Sequence, residues 1–282
     1  MPQQVLFKTA QGKPVTSDDL RAALERIQAH DCRVLYMHTG LSFGLPNPHF
    51  SRAQLLDAIY QTVRSLNVPT LCVPTFTFSF CNGEDYDSAR SKSRMGAINE
   101  FIRQRPEAIR SVDPLMSVAV VGEDHDLAEN LGHHSIGVNS TFDKLSRRQG
   151  VKFLFLGVHL GDCFTYVHYL EWRERVLYRY DRAFTGRITH HGRTFDSTYT
   201  LFVRYRNVTP NAASYSYEQL LADRGWLRAT QLGDAPVSCL SEPEASATYV
   251  ELLRNDPNYF IERPFRIEEA DRTFAVRNMV AL

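Results

Sequence analysis

The sequence lacks the features that mark several large classes of protein. No stretch approaches the roughly 20 consecutive apolar residues that a membrane-spanning helix needs. The first residues show no charged segment followed by an apolar one, so we predict no signal peptide. Lysine plus arginine and aspartate plus glutamate are equal at 32 each, whereas nucleic-acid-binding proteins usually carry a basic surplus. We therefore expect a cytoplasmic protein that binds neither a membrane nor a nucleic acid.

Cysteine is scarce, and motifs for metals and nucleotides are missing. The five cysteines form no CxxC pair, which argues against a disulfide framework and a zinc site and favours a reducing compartment. Two histidine pairs, His133-His134 and His190-His191, look like metal ligands. Adjacent side chains point in different directions, however, and no carboxylate stands at metal spacing, so we predict no metal site. Dinucleotide, P-loop and nucleophile-elbow motifs are also absent.

Alternating helix and strand patterns occupy the first half of the chain. Capped helices are predicted at 16–27 and 52–66, and a third helix stops before Pro106. This alternation predicts an α/β layered domain around a sheet. The buried strands of that sheet are predicted from apolar, β-branched runs at 32–41, 70–80, 115–122 and 151–158.

The chain after residue 182 has a different pattern. Residues 182–207 alternate apolar and polar side chains with turn signals at Gly186 and Gly192, which predicts antiparallel strands. Further helices are predicted at 216–227 and 245–260. No linker, repeat or low-complexity segment divides the sequence, so we predict one domain over residues 1–282.

The segment from 151 to 171 is the most informative part of the sequence. A buried-strand pattern leads to Gly161 and then to polar residues at intervals of three, namely Thr165, His168 and Glu171. If this part is helical, the three side chains share one face and point into one cleft. The alternative is an ordinary amphipathic helix in which His168 packs and Glu171 is solvated.

Two neighbouring features have ordinary structural interpretations. Cys163 has apolar and acidic neighbours that raise the pKa of a thiol, so we interpret it as a packing residue. The arginine cluster from Arg173 to Arg182 contains Tyr178 and Tyr180 and is diluted by acids. Such a cluster could hold phosphates, but it is more typical of a solvated helix face.

Five segments, taken in order, resemble the aminoglycoside 3-N-acetyltransferase family. The resemblance implies a three-layer α/β/α sandwich, distinct from the GNAT acetyltransferase fold. It also implies an N-acetyltransferase that moves an acetyl group from acetyl-CoA to an amine of an amino sugar or aminoglycoside, without a metal, as in antibiotic resistance. The similarity covers roughly residues 30–175 well and the last hundred poorly, in the segments HTGLSFG (38–44), PTFTF (74–78), GAINEFIRQRPEAIRSVDPLMSVAVVG (96–122), GVNSTFDKL (137–145) and FLGVHLGDCFTYVHYLE (155–171).

The resemblance assigns roles to individual residues. His168, the histidine of the family's T-x-x-H-x-x-E pattern, would be the general base, and Thr165 would help hold the oxyanion of the thioester carbonyl. A histidine titrating near 6.5 is suited to accept a proton from an amine, and a carboxylate such as Glu171 can orient its ring. The acetyl-CoA site would include His38, Thr39, Gly40, Leu41, Ser42, Phe43, Thr75, Arg110, Ser111 and Ser117.

Three positions depart from the family pattern. An aspartate-proline pair at 113–114 stands where family members commonly have His-Pro, and a serine-threonine pair at 140–141 stands where they have Ser-Pro. The family also places a further acidic partner for the histidine downstream, but the corresponding residues 199–208 contain no carboxylate. Unless the base acts unassisted, the candidates for that partner are Asp113, Asp162 and Glu171.

These departures leave several functions open. The acceptor could be an aminoglycoside or a nucleotide-linked amino sugar of surface polysaccharide synthesis, which the many basic residues would suit. The chain could also be a catalytically silent homologue that binds coenzyme A, or a hydrolase that uses Cys163 with His168. We expect residues from about 183 to 282 to shape the acceptor pocket. The tyrosine-rich part from Tyr215 to Tyr259 is expected to pack internally or to form a homodimer surface.

Overall fold

Alternation of apolar side chains along the central strands divides the core into two layers.

The structure is a computed structural model that describes residues 3–274, so both limits of the predicted domain, 1 and 282, lie outside the described residues. The strands are β1 (Val5–Lys8), β2 (Pro14–Thr16), β3 (Val34–Thr39), β4 (Leu45–Pro46), β5 (Thr70–Pro74), β6 (Tyr86–Asp87), β7 (Ile109–Arg110), β8 (Val118–Gly122), β9 (Val151–Leu156), β10 (Arg179–His190), β11 (Arg193–Arg204), β12 (Arg228–Leu232) and β13 (Ala235–Ser241). The helices are α1 (Ser17–Arg26), α2 (Arg52–Arg64), α3 (Ala97–Arg103), α4 (Thr141–Ser146), α5 (Leu160–Cys163), α6 (Val167–Arg173), α7 (Ala213–Asp223) and α8 (Glu242–Asn255).

Seven strands form the central sheet, in the order β12-β13-β9-β3-β5-β8-β7. The middle strand, β3, pairs in parallel with both β9 and β5. The outer strands run antiparallel to their inner neighbours. Since β3 and β9 are adjacent and parallel, their carboxyl ends meet at one edge of the sheet. The loops that follow these two strands are therefore neighbours.

The two faces of this sheet are covered by different helices. One face contributes Tyr36 and Phe153 to a core cluster that also contains Leu170 of α6. Leu35, which precedes Tyr36 along β3, points to the opposite face and joins a second cluster with Leu56 of α2. Period-two alternation places neighbouring side chains of a strand in different layers. The predicted three-layer α/β/α sandwich is confirmed.

The first two helices begin where the sequence predicts. Thr16 accepts a hydrogen bond from the backbone of Asp19, whose carboxylate accepts from the backbone of Thr16, and this capping box starts α1. Ser51 and Gln54 make the same arrangement at the start of α2. Within residues 3–274, no helix combines the length and the apolar character needed to cross a membrane.

The antiparallel strands predicted after residue 182 form one long hairpin. β10 and β11 pair from Arg179 with Arg204 to His190 with Arg193, and the chain reverses at Gly192 as expected. The turn predicted at Gly186 is wrong, because Gly186 lies inside β10. A Cβ at this position would stand 2.9 Å from the ring of Phe80, so glycine serves close packing here rather than a turn.

The strand predicted at 70–80 is shorter than expected. β5 ends at Pro74, and the following chain leaves the sheet while Phe76, Phe78 and Phe80 enter the core. Phe78 has φ of +59°, a left-handed conformation that an extended strand excludes. The aromatic composition of this segment therefore reflects burial rather than strand pairing.

Candidate active site

The loops after β3 and β9 touch at the carboxyl edge of the sheet. Gly157 has φ of +75°, and a Cβ on it would stand 2.4 Å from the carbonyl oxygen of Gly40. Both the conformation and the space therefore require glycine at 157. Ser42 donates its hydroxyl to the carbonyl oxygen of Gly157 at 2.8 Å. These contacts hold the loop of residues 38–44 against the segment that follows β9.

The segment after β9 contains two short helices with a break between them. α5 ends at Cys163, Phe164 has a non-helical ψ of 83°, and α6 starts at Val167. Thr165 thus lies in the break, whereas His168 and Glu171 lie one turn apart on α6. All three line one cavity of about 270 Å³. The structure brings the predicted trio together, although Thr165 is not on the same helix as the other two.

Glu171 is the centre of a buried hydrogen-bonded group, the base cluster, which consists of His168, Glu171, Tyr178 and Arg179. Its Oε2 lies 2.9 Å from Nδ1 of His168 and 2.9 Å from Nε of Arg179. Its Oε1 accepts the hydroxyl of Tyr178 at 2.7 Å. Burial raises the pKa of Glu171, but the charge of Arg179 and the hydrogen bonds from His168 and Tyr178 outweigh burial and lower the pKa to about 2. Glu171 is therefore ionised at neutral pH.

The imidazole of His168 is neutral for a related reason. Burial lowers the pKa of His168, and the charge of Arg179 lowers it further, against the attraction of Glu171. Nδ1 faces both Glu171 and Arg179, each at 2.9 Å. Nε2 is the ring nitrogen left for the cavity. A neutral imidazole held by a carboxylate can accept a proton.

Four buried polar atoms in or near this cavity have no hydrogen-bond partner among the described residues. They are Oγ1 of Thr165, Nε2 of His38, the hydroxyl of Tyr36 and Nε of Arg179, and the last still forms its ion pair with Glu171. The rings of Tyr36 and His38 lie 5.3 Å apart, and Phe164 packs edge-on against His38. Burial lowers the pKa of His38 to about 3, so this ring is also neutral. A buried hydroxyl without a partner costs about 1–3 kcal/mol, and Thr165 is thus suited to donate to a ligand oxygen in the cavity.

Comparison with known families identifies the chain. A family model described as aminoglycoside 3-N-acetyltransferase matches residues 53–254. The chain belongs to the aminoglycoside 3-N-acetyltransferase family. It is an acyltransferase by this membership. No curated protein sequence matches the chain.

Several solved structures have the same fold. AAC-IIIb in its binary complex with CoASH is 18% identical, with a TM-score of 0.73 over 88% of this chain and 98% of that chain. AAC-VIa bound to sisomicin is 17% identical, with a TM-score of 0.71 over 85% of this chain and 97% of that chain. The YokD protein from Bacillus subtilis is 16% identical, with a TM-score of 0.70 over 90% of this chain and 96% of that chain. Identities this low establish the fold alone.

Four of the residues expected to bind acetyl-CoA form a second buried group, the Arg110 cluster, which consists of Thr75, Arg110, Ser111 and Ser117. Arg110 donates to the carbonyl oxygen of Thr75 at 2.7 Å, and its other terminal nitrogen donates to the carbonyls of Ser88 and Ser91. Ser117 donates to the same Thr75 carbonyl at 2.9 Å, and Ser111 accepts from the backbone of Val118. The cluster therefore joins the loop of residues 88–91 to the sheet, and its role toward acetyl-CoA stays a prediction.

The predicted cofactor loop after β3 is partly buried. His38 and Phe43 lie in the core, and Thr39 donates to the side-chain oxygen of Asn99 at 3.0 Å. Leu41 is half-buried, and Gly40 and Ser42 make the contacts with Gly157 described above. The binding role of residues 38–43 stays a prediction.

The sequence interpretation missed the partners that follow α6. The expectation of a solvated helix face at 173–182 is wrong for Arg179, whose side chain is 8% exposed and belongs to the base cluster. Arg204, the cross-strand partner of Arg179, also lines the cavity. No helical spacing identified these residues, because α6 ends at Arg173, Arg179 begins β10, and Arg204 reaches the cavity on the returning strand of the hairpin.

The family departures have local structural roles. Asp113 accepts hydrogen bonds from the backbones of Leu115 and Met116 and from the hydroxyl of Ser135, and it thereby closes a turn. Ser140 accepts from a backbone amide at the start of α4 and caps that helix. The residues at 199–208 bring Arg204, not a carboxylate, to the cavity.

The histidine pairs bind other protein groups. Nε2 of His134 lies 3.0 Å from a carboxylate oxygen of Asp181, and Nδ1 of His190 lies 2.9 Å from the hydroxyl of Ser88. In the described part of the chain, no group of three His, Cys, Asp or Glu side chains could hold a metal ion.

Proposed function

We propose that the chain transfers an acetyl group from acetyl-CoA to an amine of an aminoglycoside or a related amino sugar, with His168 as the general base. One observation carries the proposal: a neutral histidine, held at 2.9 Å by an ionised buried carboxylate, lines a cavity beside a buried hydroxyl that has no partner among the described residues. Family membership supplies the reaction class. The structures of relatives with CoASH and with sisomicin are consistent with the two substrates.

The residues of the cavity divide the chemistry between them. An alkyl ammonium is no nucleophile, so His168 accepts the proton that the amine must lose as it attacks the thioester. Glu171 orients the ring and stabilises the imidazolium that forms. Thr165 donates its hydroxyl to the oxygen that becomes negative in the tetrahedral intermediate. Acetyl-CoA supplies the activated acetyl group, and residues 38–43 are proposed to hold it. The thiolate of coenzyme A leaves without an enzyme nucleophile.

Cys163 is not needed for this chemistry. Burial raises the pKa of its thiol, and the charge of Asp162 raises it further, so the thiolate is disfavoured. Its Sγ donates to the carbonyl oxygen of His159, whereas Nδ1 of His168 faces Glu171 and Arg179. These contacts favour acyl transfer to an amine over a cysteine hydrolase.

A second candidate acceptor is an amino sugar that carries a negative charge, such as a nucleotide-linked one. The cavity is lined by two cations, Arg179 and Arg204, and by two carboxylates that already have partners. Glu171 belongs to the base cluster, and Asp162 accepts the hydroxyl of Tyr215. An acceptor with several positive charges would need carboxylates to bind it. The part of the chain after residue 183 would then determine acceptor choice through Pro210, Asn211, Ser214, Tyr217, Tyr249 and Phe260, which complete the cavity wall.

The proposed function is tested by mass spectrometry of acetyl transfer. The purified chain is incubated with acetyl-CoA and a panel of aminoglycosides and nucleotide-linked amino sugars. We expect at least one amine to gain one acetyl group with the wild type and with His30→Ala, an exposed control, but not with His168→Ala. Transfer to only one class of acceptor identifies that class. No transfer to any amine would overturn the proposal, and coenzyme A binding without transfer would support a silent homologue.

A further inference from the structure

One nitrogen of His168 has two partners that require opposite protonation states. Glu171 Oε2 lies 2.9 Å from Nδ1, and this contact needs a proton on Nδ1. Nη2 of Arg179 also lies 2.9 Å from Nδ1 and donates toward it, and this contact needs a lone pair on Nδ1. A single ring nitrogen satisfies one of the two at a time. The structure thus contains a competition for Nδ1.

The outcome of this competition determines whether His168 is a base. When Nδ1 carries the proton and donates to Glu171, Nε2 has a free lone pair and can accept a proton in the cavity. When Nδ1 accepts from Arg179, the proton of the neutral ring is on Nε2, and the base is blocked. The two arrangements differ by the position of one proton, which leaves one ring nitrogen and joins the other.

Arg179 is held where it can act in this way. It is the first residue of β10, and its Nη1 donates to the carbonyl oxygen of Phe202 on the neighbouring strand at 3.2 Å. Its Nε lies 2.9 Å from Glu171 Oε2, so the guanidinium faces both members of the histidine–carboxylate pair. The planar fork of arginine reaches two such groups at once, which a lysine ammonium does not.

We propose that Arg179 is a positioning residue for His168: it competes with Glu171 for Nδ1 and keeps the imidazole from forming a permanent ion pair with the carboxylate. The competition itself is independent of the substrate, whereas its catalytic meaning rests on the proposed function. Without Arg179, the full charge of Glu171 would act on the ring and favour the protonated imidazole, which is no base.

The other charged and titratable groups around the ring come from several elements. Tyr178 precedes β10 and donates to Glu171, and Arg204 on β11 adds a second positive charge that lowers the pKa of His168. Tyr217 on α7 and Tyr249 on α8 line the cavity, and burial raises the pKa of both phenols well above the ordinary value, so they stay neutral. α5 contributes Asp162 and Cys163 to the cavity wall. Among these facing groups, Arg179 donates directly to Nδ1.

The test is ¹⁵N NMR of the histidine rings across pH, which reports the tautomer and the pKa without any substrate. The chain has ten histidines, and the signals lost in His168→Ala assign the ring in question. In wild type, we expect both nitrogens of neutral His168 to show intermediate shifts. In Arg179→Met, we expect the proton on Nδ1 and a ring pKa higher by about 1–2 units, because a cation within contact distance is removed. Arg179→Lys keeps the charge near Glu171, so it should also move the proton to Nδ1 but with a smaller pKa change.

Arg187→Met serves as the matched control. Arg187 lies on the same strand, is 61% exposed, and should leave the His168 signals unchanged. Unchanged tautomer and pKa in both Arg179 variants would overturn the proposal, and Arg179→Lys keeps the test valid if Arg179→Met does not fold. In acetyl transfer, the acid limb of kcat/KM should move to higher pH by about one unit in Arg179→Met, with the rate recovered at alkaline pH. If the NMR changes appear but no amine is acetylated, the competition stands and the proposed function fails.

Discussion

Two of the buried arginine side chains, Arg179 and Arg110, show how the same residue type can serve different purposes. In the base cluster, Arg179 contacts a carboxylate and an imidazole, both of which titrate. In the Arg110 cluster, Arg110 contacts hydroxyls and backbone carbonyls, which keep their protonation states. A charge beside titratable groups changes their pKa, whereas a charge among carbonyls holds the backbone.

The pKa shifts in the two clusters reflect the different groups that each arginine contacts. In the base cluster, the charge of Arg179 lowers the pKa of Glu171 against the effect of burial and lowers the pKa of His168 together with burial. In the Arg110 cluster, burial lowers the pKa of Arg110 itself, because no carboxylate in the described residues is in contact with it to offset desolvation. We therefore expect variants of the first cluster to change chemistry and variants of the second to change stability.

The largest effect is expected for the base itself. His168→Ala should lower kcat for acetyl transfer by about 10²–10⁴-fold, because the amine then loses its proton acceptor. The measurement is the initial rate at saturating acetyl-CoA, with unfolding in denaturant as the check on the fold. A loss of less than tenfold would contradict the role of His168.

Removal of Arg110 should act on stability. Arg110→Met leaves the carbonyls of Thr75, Ser88 and Ser91 without their donor and should lower the free energy of unfolding by about 2–4 kcal/mol. Urea unfolding measures this change, and the ring pKa of His168 should stay at its wild-type value. A stability within about 0.5 kcal/mol of wild type, together with a raised KM for acetyl-CoA, would instead assign Arg110 to cofactor binding.

Single hydroxyls in the two clusters make a finer comparison. Tyr178→Phe removes a hydrogen bond to an ionised carboxylate and should lower the free energy of unfolding by about 1.5–3 kcal/mol. Ser117→Ala removes hydrogen bonds between neutral groups and should lower it by about 1 kcal/mol. Tyr178→Phe should also raise the pKa of Glu171, which ¹³C NMR of the carboxyl carbon would detect. Equal losses of unfolding free energy in the two variants, with an unchanged pKa of Glu171, would contradict the difference between the base cluster and the Arg110 cluster.

The pH dependence of stability gives a further prediction. His38 has an ordinary pKa of 6.5 when unfolded and a pKa of about 3 when folded, because burial disfavours the charged ring. Below pH 6.5 the unfolded chain binds a proton that the folded chain does not, so the free energy of unfolding falls by up to about 1.4 kcal/mol per pH unit as pH drops from 6.5 toward 3. His168 acts in the same direction.

His38→Phe removes the contribution of His38 and keeps an aromatic ring against Phe155. The plot of unfolding free energy against pH should therefore be flatter in this variant between pH 6.5 and 3. An identical slope would show that His38 is protonated in the folded state. The KM for acetyl-CoA in the same variant tests the predicted cofactor contact.

The smallest effect is expected at Cys163. Cys163→Ala should change the rate of acetyl transfer by less than about threefold, because the thiol is protonated and donates to the carbonyl of His159. Loss of activity in this variant, with the fold intact, would favour the cysteine hydrolase.

Local patterns were enough for much of the fold and part of the site. The capping residues Thr16 and Ser51, the buried apolar run of β3 and the hairpin turn at Gly192 all depend on neighbours in sequence, and each is observed. The spacing of His168 and Glu171 belongs to the same class, since residues three apart meet on a helix. Contacts between residues a few positions apart are encoded locally, so the sequence predicts them.

Contacts across the fold were decided by the tertiary structure. The aromatic run after Pro74 leaves the sheet with its rings in the core, and Arg179 is a buried partner of His168 because the first residue of β10 packs beside α6. The raised and lowered pKa values also depend on burial and on charges brought in from distant segments. Sequence alone thus determined the helices α1, α2, α3, α7 and α8, the sheet strands β3, β5, β8 and β9, the hairpin and the histidine–carboxylate pair. Only packing decided which residues surround that pair, because those partners lie on other elements than α6 and leave no helical spacing in the sequence.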